Sequence, residues 1–105
     1  MQYDVFISYS RQNMELADRV EKTLKSRGLR CFIDRESIEI GEDFAEKIGK
    51  SIYHSEVLLL IWTPESNQSD NVAREVNLAQ VYSKIIIPFQ IGDFIPHYRM
   101  AYMLA

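Results

Sequence analysis

Cysteine is almost missing from this chain: Cys31 stands alone, which excludes an intramolecular disulfide. It lies in an apolar, strand-like stretch, where a buried and reduced thiol is expected. Glycine is sparse as well. Gly28, Gly41, Gly49 and Gly92 are isolated from one another, so no glycine-rich phosphate loop can form. The two histidines, His54 and His97, are far apart and lack Cys or carboxylate neighbours at ligand spacing, so no metal is expected. The longest apolar run, residues 57–62, is far too short to cross a bilayer. Met1-Gln-Tyr-Asp opens straight into a strand-like segment, without a signal peptide. Charge of one sign is also lacking: the net value is −3, and the basic residues are scattered rather than massed beside aromatics. The expectation is a soluble cytoplasmic domain that engages neither nucleic acid nor membrane.

At 105 residues the chain suits one compact domain, and its 47% hydrophobic and 26% charged content is that of a folded globular protein. Strand and helix patterns alternate along it. Residues 3–8 are β-branched and aromatic and read as a first strand. Asn13 is placed to cap the helix that follows. Leu16, Ala17, Val20 and Leu24 form that helix's buried face, and Gly28 stops it. Residues 29–33 read as a second strand and 34–41 as a polar loop carrying Ile38 and Ile40. Phe44, Ile48 and Ile52 mark a second helix. The apolar stretch within 56–62 is a third strand, of the kind buried on both faces of a parallel sheet. Residues 63–68 read as a loop, 69–82 as a helix, and 84–89 as a fourth strand whose ladder Pro88 limits. After residue 91 come a turn at Pro96 and a weakly helical tail.

This alternation, with short connections, is the mark of a doubly wound α/β fold. Ligands of such folds bind beyond the carboxyl ends of the strands, where the strand order reverses. Segments 8–11, 34–41 and 62–65 leave those ends and should gather on one edge. The helix over 69–82 rises from the same edge and carries Glu75 in its second turn. Its apolar stripe is Val72, Val76, Ala79 and Tyr82, and Glu75 projects along the border of that stripe. The residues three and four away are Asn71, Val72, Leu78 and Ala79. None is cationic, so no pair along the helix accounts for the carboxylate. A glutamate in this position either snorkels to water or is used.

Several chemistries fail on the residues. Ser8 and Ser10 lack a glycine-flanked elbow and a histidine base, which argues against acyl transfer. A phosphoacceptor receiver domain would need an aspartate at the end of the third strand, where this chain has Trp62-Thr63. What remains is a crevice holding one carboxylate, the hydroxyls of Ser8, Tyr9 and Ser10, the cation of Arg11, and the aromatics Phe6, Tyr9 and Trp62. Aromatic faces suit a nucleobase, and a guanidinium suits a phosphate. One carboxylate is too few for ordinary glycoside hydrolysis, which uses a second as general acid. It suffices where the leaving group departs unprotonated, as a pyridinium does from ribose. The residues admit this chemistry without singling it out.

Four motifs then stand in order: Tyr3-Asp-Val-Phe-Ile-Ser-Tyr-Ser10, Gly28-Leu-Arg-Cys-Phe-Ile-Asp34, Ile38-Glu-Ile-Gly41 and Asn71-Val-Ala-Arg-Glu75. Together, from residue 3 to about 90, they resemble the Toll/interleukin-1 receptor (TIR) domain family, in its bacterial NAD-cleaving form. The resemblance implies a flavodoxin-like parallel sheet of five strands. Against that pattern the last strand and last helix are expected to be missing, with residues 1–105 forming a single TIR domain cut from a longer sensor–effector protein. It also implies cleavage of NAD⁺ to nicotinamide and ADP-ribose or a cyclic isomer, with NAD⁺ as substrate and no cofactor. By the same likeness Glu75 is the catalytic residue. Tyr9, Ser10 and Arg11 contact the nucleotide, and Asp34, Phe44 and Trp62 complete the expected substrate-binding set. Residues 34–41 would gate the site and pack on a neighbouring TIR domain. The implied setting is assembly into a homo-oligomer or filament that switches on an antiphage effector. Two positions depart from the family pattern. Asn71 stands where some members carry tryptophan, which leaves Trp62 as the candidate aromatic. Ile40 stands where receptor types often carry proline, which points away from a receptor-type interface. A non-enzymatic scaffold, working by homotypic contacts, is the other function the resemblance allows.

Overall fold

The computed structural model describes residues 2–34 and 42–104. The polar loop expected to gate the site therefore lies, beyond Asp34, outside the described residues. Four strands form one parallel sheet. β1 (Tyr3–Ser8) pairs with β2 (Cys31–Ile33) on one side and β3 (Ser55–Trp62) on the other. β4 (Ile85–Gln90) flanks β3 to give the order β2-β1-β3-β4. The order reverses between β1 and β3, which puts the expected ligand crevice at the carboxyl end of β1.

Side-chain alternation sorts the strands into two apolar layers. Val5, Ile7 and Ile61 face α1 (Met14–Ser26), whose Ala17 is fully buried among them. Phe6, Leu58, Leu60 and Trp62 face the other way. There they meet α2 (Glu42–Tyr53), α4 (Asp70–Val81) and α5 (Tyr98–Leu104) through Ile48, Ile52, Val72, Val76, Ala79 and Met100. α1 ends as expected at Gly28, whose φ of +82° only a glycine adopts without strain and whose N–H reaches the Lys25 carbonyl.

The differences from the sequence reading have local causes. β2 starts at Cys31 rather than at residue 29: the Arg30 carbonyl accepts from the Val5 N–H of β1, but its own N–H (2.7 Å) and guanidinium turn to the Asp4 carboxylate. Asn13 does not cap α1 with its side chain. It bridges instead to Thr63 and Glu65, while a single 3₁₀ turn over Arg11–Asn13, capped by Ser10, leads into the helix. The segment read as a loop contains a short helix, α3 (Pro64–Asn67). Thr63 and Ser66 form its capping box and Pro64 presets its first turn. Tyr82 leaves the buried stripe of α4, since the helix ends at Val81, and Ala73 takes a buried place instead.

β4 is one of the two edge strands among the described residues, which explains why Pro88 is tolerated within it. Ile86 packs under the α2–α4 layer. Ile85, Ile87 and Phe89 on the opposite face are 62%, 47% and 47% exposed, so that face of β4 is uncovered among the described residues. No described helix is long and apolar enough to cross a membrane.

Candidate active site

The carboxyl end of β1 opens on a cavity of about 380 Å³, within the range of small-molecule sites. β1 and the turn after it contribute Ile7, Tyr9 and Arg11. Asp34 follows β2. Phe44, Ala45, Ile48, Gly49 and Ile52 come from α2, and Ser69, Asn71, Arg74, Glu75 and Leu78 from the start of α4. The crevice therefore forms between α2 and α4, above the point where the strand order reverses.

Glu75 is the chemical centre of this cavity. Strand alternation puts Ser8 on the same side as Phe6, beneath α4, and Ser8 is wholly buried. Its hydroxyl donates to Glu75 Oε1 at 2.7 Å. Burial in the apolar wall raises the Glu75 pKa to about 7, against the Ser8 hydrogen bond, which favours the anion. The charge of Asp34 adds to the rise and that of Arg11 opposes it. A glutamate shifted upward by desolvation inside a cleft, with charged neighbours, is a candidate functional carboxylate.

The other charged residues are arranged around it. Arg11 Nη2 pairs with Asp34 Oδ2 at 3.1 Å, with 31% and 13% of the two side chains exposed. The Tyr9 hydroxyl donates to the Asp34 carbonyl, which ties the end of β1 to the end of β2. Arg74, one residue before Glu75, is exposed on the cavity wall and forms no ion pair with any described residue.

Of the residues expected from the sequence, the fold brings together Tyr9, Arg11, Asp34, Phe44 and Glu75. It leaves out two. Trp62 does not line the cavity: it is 7% exposed in the core beneath α5, stacks edge-on with Phe94, and donates its ring N–H to Asn67. As the last residue of β3 it lies past the crevice on the far side of α4's start, so Phe44 and Tyr9 are the aromatics available to a ligand. Ser10 turns away to cap the 3₁₀ turn, accepting from the Gln12 N–H. Ser8, read from the sequence as one hydroxyl among three, is the one that touches Glu75. The signal for it was the alternation itself, since a serine in register with Phe6 must face the helix above the sheet. Arg74 and Asn71 stood in the motif ending at Glu75, but nothing in the sequence placed their side chains on the cavity wall. Cys31 is half-buried and its thiol is pushed up, first by desolvation and then by Glu21, as suits an unreactive side chain.

Comparison with known proteins decides the family. A family model described as TIR domain matches residues 5–102. The chain belongs to the TIR domain family. Solved structures agree on the fold. The TIR domain of the Toll-related receptor TRR-2 from Hydra magnipapillata superposes with a TM-score of 0.80 at 22% identity, over 97% of this chain and 81% of that one. A metazoan TIR-STING receptor from C. gigas gives 0.74 at 22% identity, over 96% of this chain and 36% of that one. The TIR domains of the activated Roq1 resistosome, which directly recognizes the pathogen effector XopQ, give 0.70 at 18% identity, over 85% of this chain and 57% of that one. No curated protein matches the sequence. Four parallel strands with helices on both faces are thus the TIR architecture, and the cavity lies where that architecture reverses its strand order.

Proposed function

We propose that this TIR domain is an NAD⁺ glycohydrolase that breaks the nicotinamide–ribose bond. The observation that carries this reading is a desolvated carboxylate, Glu75, in the wall of a crevice of about 380 Å³. Among the described residues Asp34 is the other carboxylate there, and Arg11 holds it. Nicotinamide on ribose is a pyridinium. When the C1′–N bond breaks, the electron pair returns to the ring nitrogen and nicotinamide leaves neutral, so no general acid is required. Glu75 as an anion holds the ribose and stabilises the oxocarbenium-like transition state. Water then adds at C1′ and releases a proton to solvent, giving ADP-ribose; an internal nucleophile would give a cyclic isomer instead. Phe44 and Tyr9 offer apolar faces to the rings. Arg11 and Arg74 supply positive charge on two sides of the cavity for a diphosphate. Assembly of TIR domains switches the reaction on, with a fused sensor domain and a defence role as the setting.

The test is nicotinamide release from NAD⁺ by concentrated protein, wild type beside Glu75→Ala. Loss of a transition-state carboxylate is expected to lower the rate at least ~100-fold, the effect of deleting one preorganised electrostatic stabiliser. Because the anion is the working form, the wild-type rate should rise with pH through about 7 and level off above it. Equal release by both proteins removes Glu75 as catalyst. Wild-type protein that forms filaments and releases nothing is a scaffold instead.

A further inference from the structure

The α2–α4 side of the sheet is apolar at Phe6, Leu58, Leu60, Phe32 and Ile86, and Ser8 is a polar residue at the cavity end of the same layer. A hydroxyl with no solvent contact must find a partner inside the protein. Ser8 finds it 67 residues away, on another element, at Glu75 Oε1. The 2.7 Å separation is that of a well-formed O–H···O hydrogen bond. Among the described residues Glu75 Oε2 accepts no hydrogen bond, so one carboxylate oxygen is fixed by β1 and the other remains for the cavity.

We propose that Ser8 is a positioning residue for Glu75, locking its rotamer with one carboxylate oxygen toward the sheet and favouring the anion over the acid. This rests on the glycohydrolase reading for its catalytic meaning, but the contact can be tested without it. Among the described residues the groups facing Glu75 are few. β1 supplies Ser8, and the turn after it supplies Arg11, already paired with Asp34 at the end of β2. α4 supplies Arg74, and the α2 residues of the cavity are uncharged. A strand hydroxyl directed at the carboxylate is therefore the short-range contact that favours the anion against its apolar surroundings. A serine suits the place because it is small enough for complete burial and donates through a single freely turning O–H.

The test is the titration of the Glu75 side-chain carboxyl by carbon NMR in the 105-residue chain, in wild type, Ser8→Ala and Ser8→Thr. Loss of a hydrogen bond to a charged group should move the midpoint upward by about one to two pH units in Ser8→Ala. Ser8→Thr, which keeps the hydroxyl, should stay near wild type. In the NAD⁺ assay the rising limb of the pH–rate curve should shift upward by the same amount in Ser8→Ala. Its kcat should fall by roughly five- to fiftyfold at neutral pH, with KM changed less than about twofold. An unmoved Glu75 titration in folded Ser8→Ala overturns the proposal, whatever the activity. A shifted titration in a wild-type background that cleaves no NAD⁺ keeps the Ser8–Glu75 contact and removes the glycohydrolase reading alone.

Discussion

Glu75→Gln should make the folded domain more stable at pH 8, by about 3 kcal/mol, and leave it unchanged near pH 4. The sign follows from where the proton sits. The Glu75 pKa rises from 4.5 to about 7 on folding, so between those values the folded chain keeps a proton the unfolded chain has lost. Wild-type stability therefore falls as pH rises through that window, by up to about 1.4 kcal/mol per unit, and the cost is complete above it. Below 4.5 both states are protonated and the cost disappears. Glutamine has the shape of the protonated acid, can accept the Ser8 hydroxyl through its carbonyl oxygen, and carries no charge to desolvate. Urea unfolding of both proteins between pH 4 and 8.5 measures the difference directly. Parallel stability curves at all pH values would mean that Glu75 is solvated in the folded state, and the crevice would lose its defining group. The same substitution should abolish catalysis, so the active carboxylate is kept at the expense of the fold.

Asn67→Leu should cost about 3 kcal/mol or more and loosen the C-terminal segment before the rest of the domain. Asn67 is 3% exposed. Its Oδ1 accepts from Trp62 Nε1 at 3.2 Å and from the His97 N–H at 2.9 Å, and its Nδ2 donates to the Ile95 carbonyl at 3.1 Å. One amide thus fastens the last residue of β3 to the approach to α5. Leucine of similar size fills the space but leaves those donors and acceptors without their partner, at roughly 1–3 kcal/mol for each that stays buried. Thermal denaturation should show a drop of roughly 10 °C or more. Hydrogen exchange should show protection lost first over Tyr98–Leu104, which Met100 in the core, the Arg99–Asp70 pair and the Gln80 amide still tie to α4. A midpoint within about 2 °C of wild type would show that water satisfies those groups and that Asn67 is not the clasp.

The alternation of strands and helices was legible because its signals are local. A β-branched and aromatic run marks β1, a continuous apolar run marks β3, the spacing of Phe44, Ile48 and Ile52 marks α2, and Gly28 ends α1. Glu75 was legible as an anomaly, a carboxylate beside an apolar stripe with no cation within helical reach. The features that were missed depend on contacts across the chain. Trp62 looked available to a ligand because its strand ends at the ligand edge, yet Phe94 and Asn67, both later in sequence, claim it for the core. α3 was hidden because four residues give no periodicity. Its capping box, Thr63 and Ser66 around Pro64, was the readable sign. Asn13 had the residue type of a cap, but Thr63 and Glu65 recruit its amide once β1 and β3 lie side by side. Ser8 could be assigned a face from strand alternation, but its partner required knowing that α4 crosses above β1.

The parallel pairing of β1 also dictates an order of events when the chain folds. Val5 lies opposite Cys31 on one side and opposite Val57 on the other. No hairpin can bring these together, so each pairing must wait for a helix-length crossover to close. During synthesis β1 and β2 emerge long before β3 is available to cover the free side of β1. The Ser8–Glu75 contact waits longer still, because α4 follows β3. The site is therefore incomplete until α4 has emerged, and a chain that stops before α4 carries the crevice floor without its acid.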